Sequence, residues 1–383
     1  MQRALLSSCP RAGIRPRRPR LPAYRQLHAL TPLRHSAPSA GATISQTIFS
    51  GIQPTGIPHL GNYLGALRKW IFLQRDSPPD TNLIFCLVDL HALTLPQAPA
   101  QLLQWKRESL ATLLAIGLDP GRCTVFEQSR VPAHTELMWL LSCGASMGML
   151  NRMTQWKSKS GEAVKEATSV PALKLGLFSY PVLQAADILV HSATHVPVGE
   201  DQVQHLELTR TLAASFNHHY GPTFPIPQTI LSPAKRIMSL RHPTTKMSKS
   251  APDPKSRILL TDSPSTIQSK LASAVTDSIG GITYSPAERP GVSNLIEIYA
   301  HMSDRSDFDA VAAEFQDAGM NMKGLKEKVG EAVVVGLEPV RRVYERVVGE
   351  SGYLDEIARK GAEKAKESAE GTLERVKRAV GLL

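Results

Sequence analysis

Three short segments carry side chains whose types and spacing suit them for chemistry. Pro58-His59-Leu60-Gly61-Asn62 places two polar donors around a glycine where an apolar helical repeat begins, and Lys246-Met247-Ser248-Lys249-Ser250 places two ammonium groups around small polar residues. A helix N-terminus offers unpaired N–H groups and a positive dipole end, glycine lets a ligand come close to the backbone, and lysines add flexible point charges. These are groups that would hold an anion. In the third segment, Ser179 to Val190, Tyr180, Gln184 and Asp187 fall on one helical stripe beside the small Ala185 and Ala186. A carboxylate in so apolar a stretch costs several kcal/mol unless it is paired, so Asp187 requires a donor from the protein or from a ligand.

The surrounding pattern predicts what positions them. Thr47 to Phe49 favours a strand, Gly51 to Pro58 is rich in turn formers, and Leu60, Tyr63, Leu64 and Leu67 recur at helical spacing. The glycines at 51, 56 and 61 fit neither the Walker phosphate loop nor the dinucleotide Gly-x-Gly-x-x-Gly, so kinase-like and dehydrogenase chemistry are not indicated. Taken alone, the stretch is equally an ordinary strand-to-helix loop. Asn82 to Val88 is a nearly continuous apolar run, expected of a strand covered on both faces, and Asp89 and His91 follow at its carboxyl end. Ligands of doubly wound sheets lie at that end of the strands, although structural roles for both residues fit as well.

Further strands are predicted at 123–126 and 195–198, with helices at 100–116, 133–147 and from Gly199 through Leu212; this alternation implies a parallel sheet. The lysine-bearing, weakly apolar stretch 151–170 reads as a lid over the cleft or as a solvated loop. Beyond Pro254 the strand signals vanish, and helices are predicted at 264–277, 292–302, 306–317, 324–347 and 353–380. The expected fold class is α/β, with residues 46–251 forming a doubly wound parallel-sheet domain and 252–383 an all-α domain.

The formal charge of +10 is unevenly spread. Residues 1–45 contain eight arginines, no lysine and no acid, and the first acidic residue of the chain is Asp76. An Arg-rich, acid-free leader containing Ser and Pro matches a mitochondrial transit peptide better than a secretory signal. The remainder carries only +2, so an RNA-binding face would be a local patch rather than a basic domain. Four scattered cysteines, without Cys-x-x-Cys spacing, suggest neither a zinc site nor a disulfide framework, and no apolar run approaches transmembrane length.

His59-Leu60-Gly61-Asn62 together with Lys246 to Ser250 resembles the two signatures of the class I aminoacyl-tRNA synthetases, with Asn62 where the family usually has a second His. Phe49-Ser-Gly-Ile-Gln-Pro-Thr-Gly56 and Val198-Gly-Glu-Asp-Gln202 resemble the tryptophan-specific branch of bacterial and organellar type. The resemblance runs from about Ile48 to the C-terminus. It implies a Rossmann-like catalytic domain, an anticodon-binding helical domain, a homodimer, and the partners L-tryptophan, ATP with Mg2+ and tRNA(Trp) in the mitochondrial matrix.

By the same resemblance the catalytic residues are His59, Asn62, Lys246 and Lys249. ATP contacts fall to Gln53, Pro54, Thr55, Gly61, Gly199, Glu200, Asp201, Met247, Ser248 and Ser250, with Ile237 against adenine. Tryptophan falls to Asp187 through its indole N–H, and to Tyr180, Gln184, His91, Phe49 and Gln202. No protein-bound metal is expected. Gln184 departs from the methionine common in the branch, which leaves a tyrosine-specific relative as an alternative; a smaller adenylyltransferase would lack the Lys246–Ser250 loop and the helical domain, and an idle RNA-binding or splicing protein should have lost the signature lysines.

Overall fold

The computed structural model describes residues 46–153, 174–199, 202–231, 236–249 and 251–383. The basic leader, nearly all of the 151–170 stretch, and Glu200, Asp201 and Ser250 lie outside the described residues.

Five parallel strands make the sheet: β1 (Thr47–Ile52), β2 (Asn82–Leu87), β3 (Thr124–Glu127), β4 (His195–Val198) and β5 (Gln228–Leu231), in the spatial order β3-β2-β1-β4-β5. β1 and β2 run in register from Thr47 opposite Asn82 to Ile52 opposite Leu87. Because successive strand residues point to opposite faces, the apolar runs feed two cores. Ile48, Leu83, Phe85, Leu87 and Val125 enter one, while Phe49, Ile84, Cys86 and Phe126 enter the other. That two-sided burial is why β2 reads as continuous apolar sequence rather than as an alternating pattern.

The helical turn α1 (Leu60–Asn62) runs on through a π-helical turn at Tyr63–Leu67 into α2 (Arg68–Asp76). After β2 come α3 (Asp89–Ala92) and α4 (Pro99–Ala115), and after β3 come α5 (Ala133–Gly144) and α6 (Met147–Arg152). One helix predicted at 133–147 is thus two, since Ala145 adopts an extended backbone (φ −79°, ψ 125°). α7 (Leu175–Leu189) and α8 (Val203–Tyr220) flank β4. The strand β5 was not anticipated, because Pro225 and Pro227 just before it read as loop.

Past β5 the named elements are helical: α9 (Pro264–Ala272), α10 (Pro290–Met302), α11 (Phe308–Asp317), α12 (Met322–Val348) and α13 (Ser351–Ala379), plus a short 3-10 turn at Pro254–Ser256. Ser263, Asp307 and Asn321 cap α9, α11 and α12 by accepting a backbone N–H three residues on, which sets those starts where the sequence placed them to within two residues. These helices do not build a separate interior. Leu295, Val329 and Val333 belong to the same core as Ile48 and Phe85.

The last helix joins both cores. Leu354 and Ala358 lie in the first, whereas Ala365, Ala369, Leu373 and Val376 lie in the second, so α13 crosses the edge of the sheet over β3. Gly361 marks the crossing, where a Cβ atom would stand 1.8 Å from the carbonyl oxygen of Val125. Gly361→Ala must therefore lift the helix from the strand. Overpacking of this kind costs ~1–3 kcal/mol, enough to lower Tm by roughly 1–4 °C in a chain of this size. A differential scanning trace identical to wild type would show that the crossing absorbs a methyl group.

Candidate active site

The sheet order reverses between β1 and β4, and ligands of doubly wound sheets bind at the carboxyl ends of strands flanking such a reversal. A cleft of about 700 Å3 opens there. Among its lining residues are Phe49, Gln53, Asn62, His91, Tyr180, Gln184, Asp187, Gly199 and Gln202, brought together from β1, α1, α3, α7 and the ends of β4. A second cleft, of about 630 Å3, reaches Gln46 and Ile48 at the opposite, amino end of β1, away from these groups.

At one end of the cleft the first signature is built as a helix cap. His59 Nδ1 accepts the backbone N–H of Asn62 at 3.2 Å, and Asn62 Oδ1 accepts that of His59 at 3.2 Å. This reciprocal pairing fixes the tautomer: Nδ1 is an acceptor, so in the neutral ring the proton sits on Nε2. Burial, followed by the charges of Lys249, Lys246 and Arg257, pushes the His59 pKa down to about 3. His59 is therefore a neutral N–H donor at physiological pH. Gly61 is required beside it, because a Cβ would stand 3.1 Å from the imidazole.

The lysine segment is folded against this cap. Leu60 N–H donates to Ile258 O at 2.8 Å and Leu260 N–H to Pro58 O at 3.1 Å, while Met247 lies buried next to Gly61. Lys249 Nζ donates to Gly56 O at 2.8 Å and to Thr55 Oγ1 at 3.2 Å. Gly56 holds a φ of +90° with Trp105 packed on it, a conformation and a closeness that favour glycine. Burial draws the Lys249 pKa down to about 8, partly offset by Glu108. Lys246 is exposed, Ser248 is half-buried and Pro54 is buried. Arg257, which the sequence reading passed over, adds a third cation near His59.

Ile237, expected against adenine, lies buried behind the lysine loop. At 1% exposure its side chain belongs to the core, and its carbonyl accepts Met247 N–H. An apolar residue beside a functional loop is first of all packing, and here it anchors the loop.

At the other end of the cleft Asp187, 1% exposed, receives three hydrogen bonds. Oδ1 accepts from Gln128 Nε2 at 2.6 Å and His134 Nδ1 at 2.7 Å; Oδ2 accepts from His91 Nε2 at 2.9 Å. Burial by itself would raise its pKa, but the hydrogen bonds from His134 and His91 overcome this and hold the carboxyl well below the usual carboxylate range. It is an ionised acceptor. His205 organises the neighbouring side chains: its Nδ1 faces Gln184 Oε1 at 2.9 Å and Gln202 Oε1 at 3.2 Å, and its Nε2 lies 3.2 Å from Tyr180 Oη. Asp89 turns away from the cleft, pairing with Lys106 at 2.7 Å and accepting Ser129 N–H at 2.9 Å.

Through Asn62 the cleft wall thus adjoins the cationic, N–H-rich cap, whose His59, Lys246 and Lys249 do not themselves line the cleft. The apolar end of the cleft holds one ionised acceptor, a pattern that suits a phosphate-bearing substrate lying beside an apolar one with a donor. Among the described residues no group of three or more His, Cys, Asp or Glu side chains is placed to hold a metal, and no helix is long and apolar enough to cross a membrane.

Residues 43–338 match the family of class I tRNA synthetases for tryptophan and tyrosine. The chain belongs to that family. Its relatives include the mitochondrial tryptophan–tRNA ligase of Schizosaccharomyces pombe, 46% identical over 88% of this chain and 95% of that one. The tryptophan–tRNA ligase of Gloeobacter violaceus is also 46% identical, over 89% and 98%. Among solved structures, the tryptophanyl-tRNA synthetase of Campylobacter jejuni, complexed with ADP and tryptophan, superposes with a TM-score of 0.73 at 29% identity, covering 88% of this synthetase and all of its own chain. Mitochondrial and bacterial relatives are equally near. For this synthetase the cap and the lysine loop are the family's two signatures, now in mutual contact.

Proposed function

We propose that the chain is a mitochondrial tryptophan–tRNA ligase. The observation that carries the choice of amino acid is the buried, ionised Asp187 at the apolar end of the cleft, an acceptor suited to the indole N–H of tryptophan. In the first step a tryptophan carboxylate oxygen attacks the α-phosphorus of ATP, the bond to the β-phosphate oxygen breaks, and pyrophosphate leaves with tryptophanyl-adenylate formed. The nucleophile is already ionised, so no general base is needed. In the second step a hydroxyl of the terminal ribose of tRNA(Trp) attacks the activated carbonyl and AMP leaves.

Catalysis in this reading is positioning and charge stabilisation. His59 Nε2–H, Asn62, the α1 N-terminus and the ammonium groups of Lys246 and Lys249 face the phosphates, which arrive with Mg2+ as part of the substrate. Gln53, Thr55, Gly61, Gly199, Met247 and Ser248 shape the ATP side; the roles of Glu200, Asp201 and Ser250 toward ATP rest on the family resemblance alone. Tyr180, Gln184 and Gln202, joined through His205, hold the amino-acid side with His91 and Phe49.

The helical portion, 252–383, binds the anticodon, two chains form a homodimer, and residues 1–45 direct import into the matrix. Support for that location is the acid-free arginine-rich leader. Pyrophosphate–ATP exchange driven by tryptophan and by tyrosine in parallel tests the activity: tryptophan-dependent exchange is expected, and a preference for tyrosine refutes the reading.

A further inference from the structure

The groups that hold Asp187 continue beyond it. His134 Nε2 lies 3.3 Å from His191 Nε2, and His191 Nδ1 lies 3.2 Å from Ser368 Oγ on α13. One turn further along α13, Thr372 Oγ1 meets Ser192 Oγ at 3.0 Å and Arg375 donates to the same hydroxyl at 2.9 Å. The last helix is therefore strapped to the segment that carries His191. His134 and His191 are 0% and 3% exposed, and the rings of Phe126 and Phe49 pack on them. Neither imidazole has room to turn.

Proton bookkeeping fixes the end of the chain at the carboxylate. Asp187 accepts only, so His134 Nδ1 carries a proton. Burial first, and then the neighbouring His134, push His191 well below its usual value, so that ring is neutral and has a single N–H. That ring bonds His134 through Nε2 and Ser368 through Nδ1, donating at one and accepting at the other. From Ser368 through His191 and His134 to Asp187 the polar contacts are continuous.

A carboxylate offers about four lone-pair sites, and Gln128, His134 and His91 occupy three of those on Asp187. The vacant one belongs to the oxygen shared with His91. We infer that His134 and His191 are positioning residues for amino-acid recognition and that α13, through Ser368, forms part of the amino-acid site by fixing which lone pair of Asp187 is left for the substrate. This rests on the reading of Asp187 as the indole acceptor. It adds that the affinity for tryptophan is set partly by a helix that does not touch it.

The test separates donor geometry from packing. An asparagine amide places its N–H where the imidazole Nδ1–H was, but leaves space; leucine fills space and has no donor. His134→Leu is expected to raise the tryptophan KM about tenfold, the value of one charge-assisted hydrogen bond, with the ATP KM unchanged, and His134→Asn to stay within about threefold of wild type. Ser368→Ala, which removes one hydroxyl and keeps the experiment open if His134→Leu does not fold, is expected to raise the tryptophan KM about threefold, again without moving that of ATP. The inference fails if leucine is tolerated better than asparagine, or if Ser368→Ala leaves the tryptophan KM unchanged. Asp187→Asn is measured alongside. Impairment there with normal His134→Leu kinetics overturns this inference alone, whereas unaltered tryptophan kinetics in Asp187→Asn overturns the reading beneath it.

Discussion

Alanine at Lys249 is expected to lower kcat for adenylate formation about a hundredfold, while raising the ATP KM only slightly and leaving that of tryptophan alone. The ammonium already rests on Gly56 O and Thr55 Oγ1, so the charge is held next to the phosphate end before ATP arrives. As pyrophosphate separates, negative charge grows on its oxygens, and a preplaced cation gains more from that state than from bound ATP. Loss of one such donor accounts for ~3 kcal/mol by comparison with removed oxyanion donors.

The pH profile gives a second reading of the same side chain. With a folded-state pKa drawn down to about 8, Lys249 is charged below that pH and neutral above it. In consequence kcat/KM for ATP should fall on the alkaline side of pH 8 toward the level of the alanine variant. Lys249→Arg, whose guanidinium stays charged, should lose that limb. An unchanged kcat in Lys249→Ala removes the loop from catalysis.

Asp187→Asn should reduce kcat/KM for tryptophan roughly 10- to 150-fold, from the ~1.5–3 kcal/mol of a hydrogen bond to a charged group. The amide keeps one oxygen, but its NH2 must then face a donor among Gln128, His134 and His91, so the substrate loses its acceptor and the network loses its fit. Discrimination against phenylalanine should narrow most. In wild type that analogue leaves a buried acceptor unfilled, and sites built to pair a polar group reject analogues lacking it by ~10⁴ or more. Measuring kcat/KM for tryptophan, tyrosine and phenylalanine in both proteins decides the matter. Equal tryptophan values in the two would end the assignment of Asp187 to the indole.

Local pattern was enough to read much of this. The strand, glycine loop and helix from Thr47 to Leu67 announce themselves by two changes of period within twenty residues, and β4 was placed at its observed limits because His195–Val198 sits between turn residues. The stripe of Tyr180, Gln184 and Asp187 also lines the cleft together, as helical spacing requires.

What escaped was non-local. Gln128, His134, His191 and Ser368 come from four separate segments, each contributing a single polar residue to an otherwise ordinary stretch, so no spacing rule links them. The available hint was position: Gln128 immediately follows the carboxyl end of β3, the same edge that made His91 a candidate. Ile237 shows the opposite limit, since closeness in sequence to the lysine loop does not say which way a side chain faces, and this one packs in the first core. The π-helical turn after Asn62 was equally invisible, because its apolar residues keep the helical rhythm.

The crossing of α13 over β3 also bears on how the protein is made. Until residues 351–379 have docked, β3 presents an open edge, and Val125 and Phe126 lack the part of their cover that α13 supplies. Unpaired edges and uncovered apolar faces are what drive association between incomplete chains. Long-range pairing of this kind slows folding, so the docking of α13 on β3 is expected among the late steps.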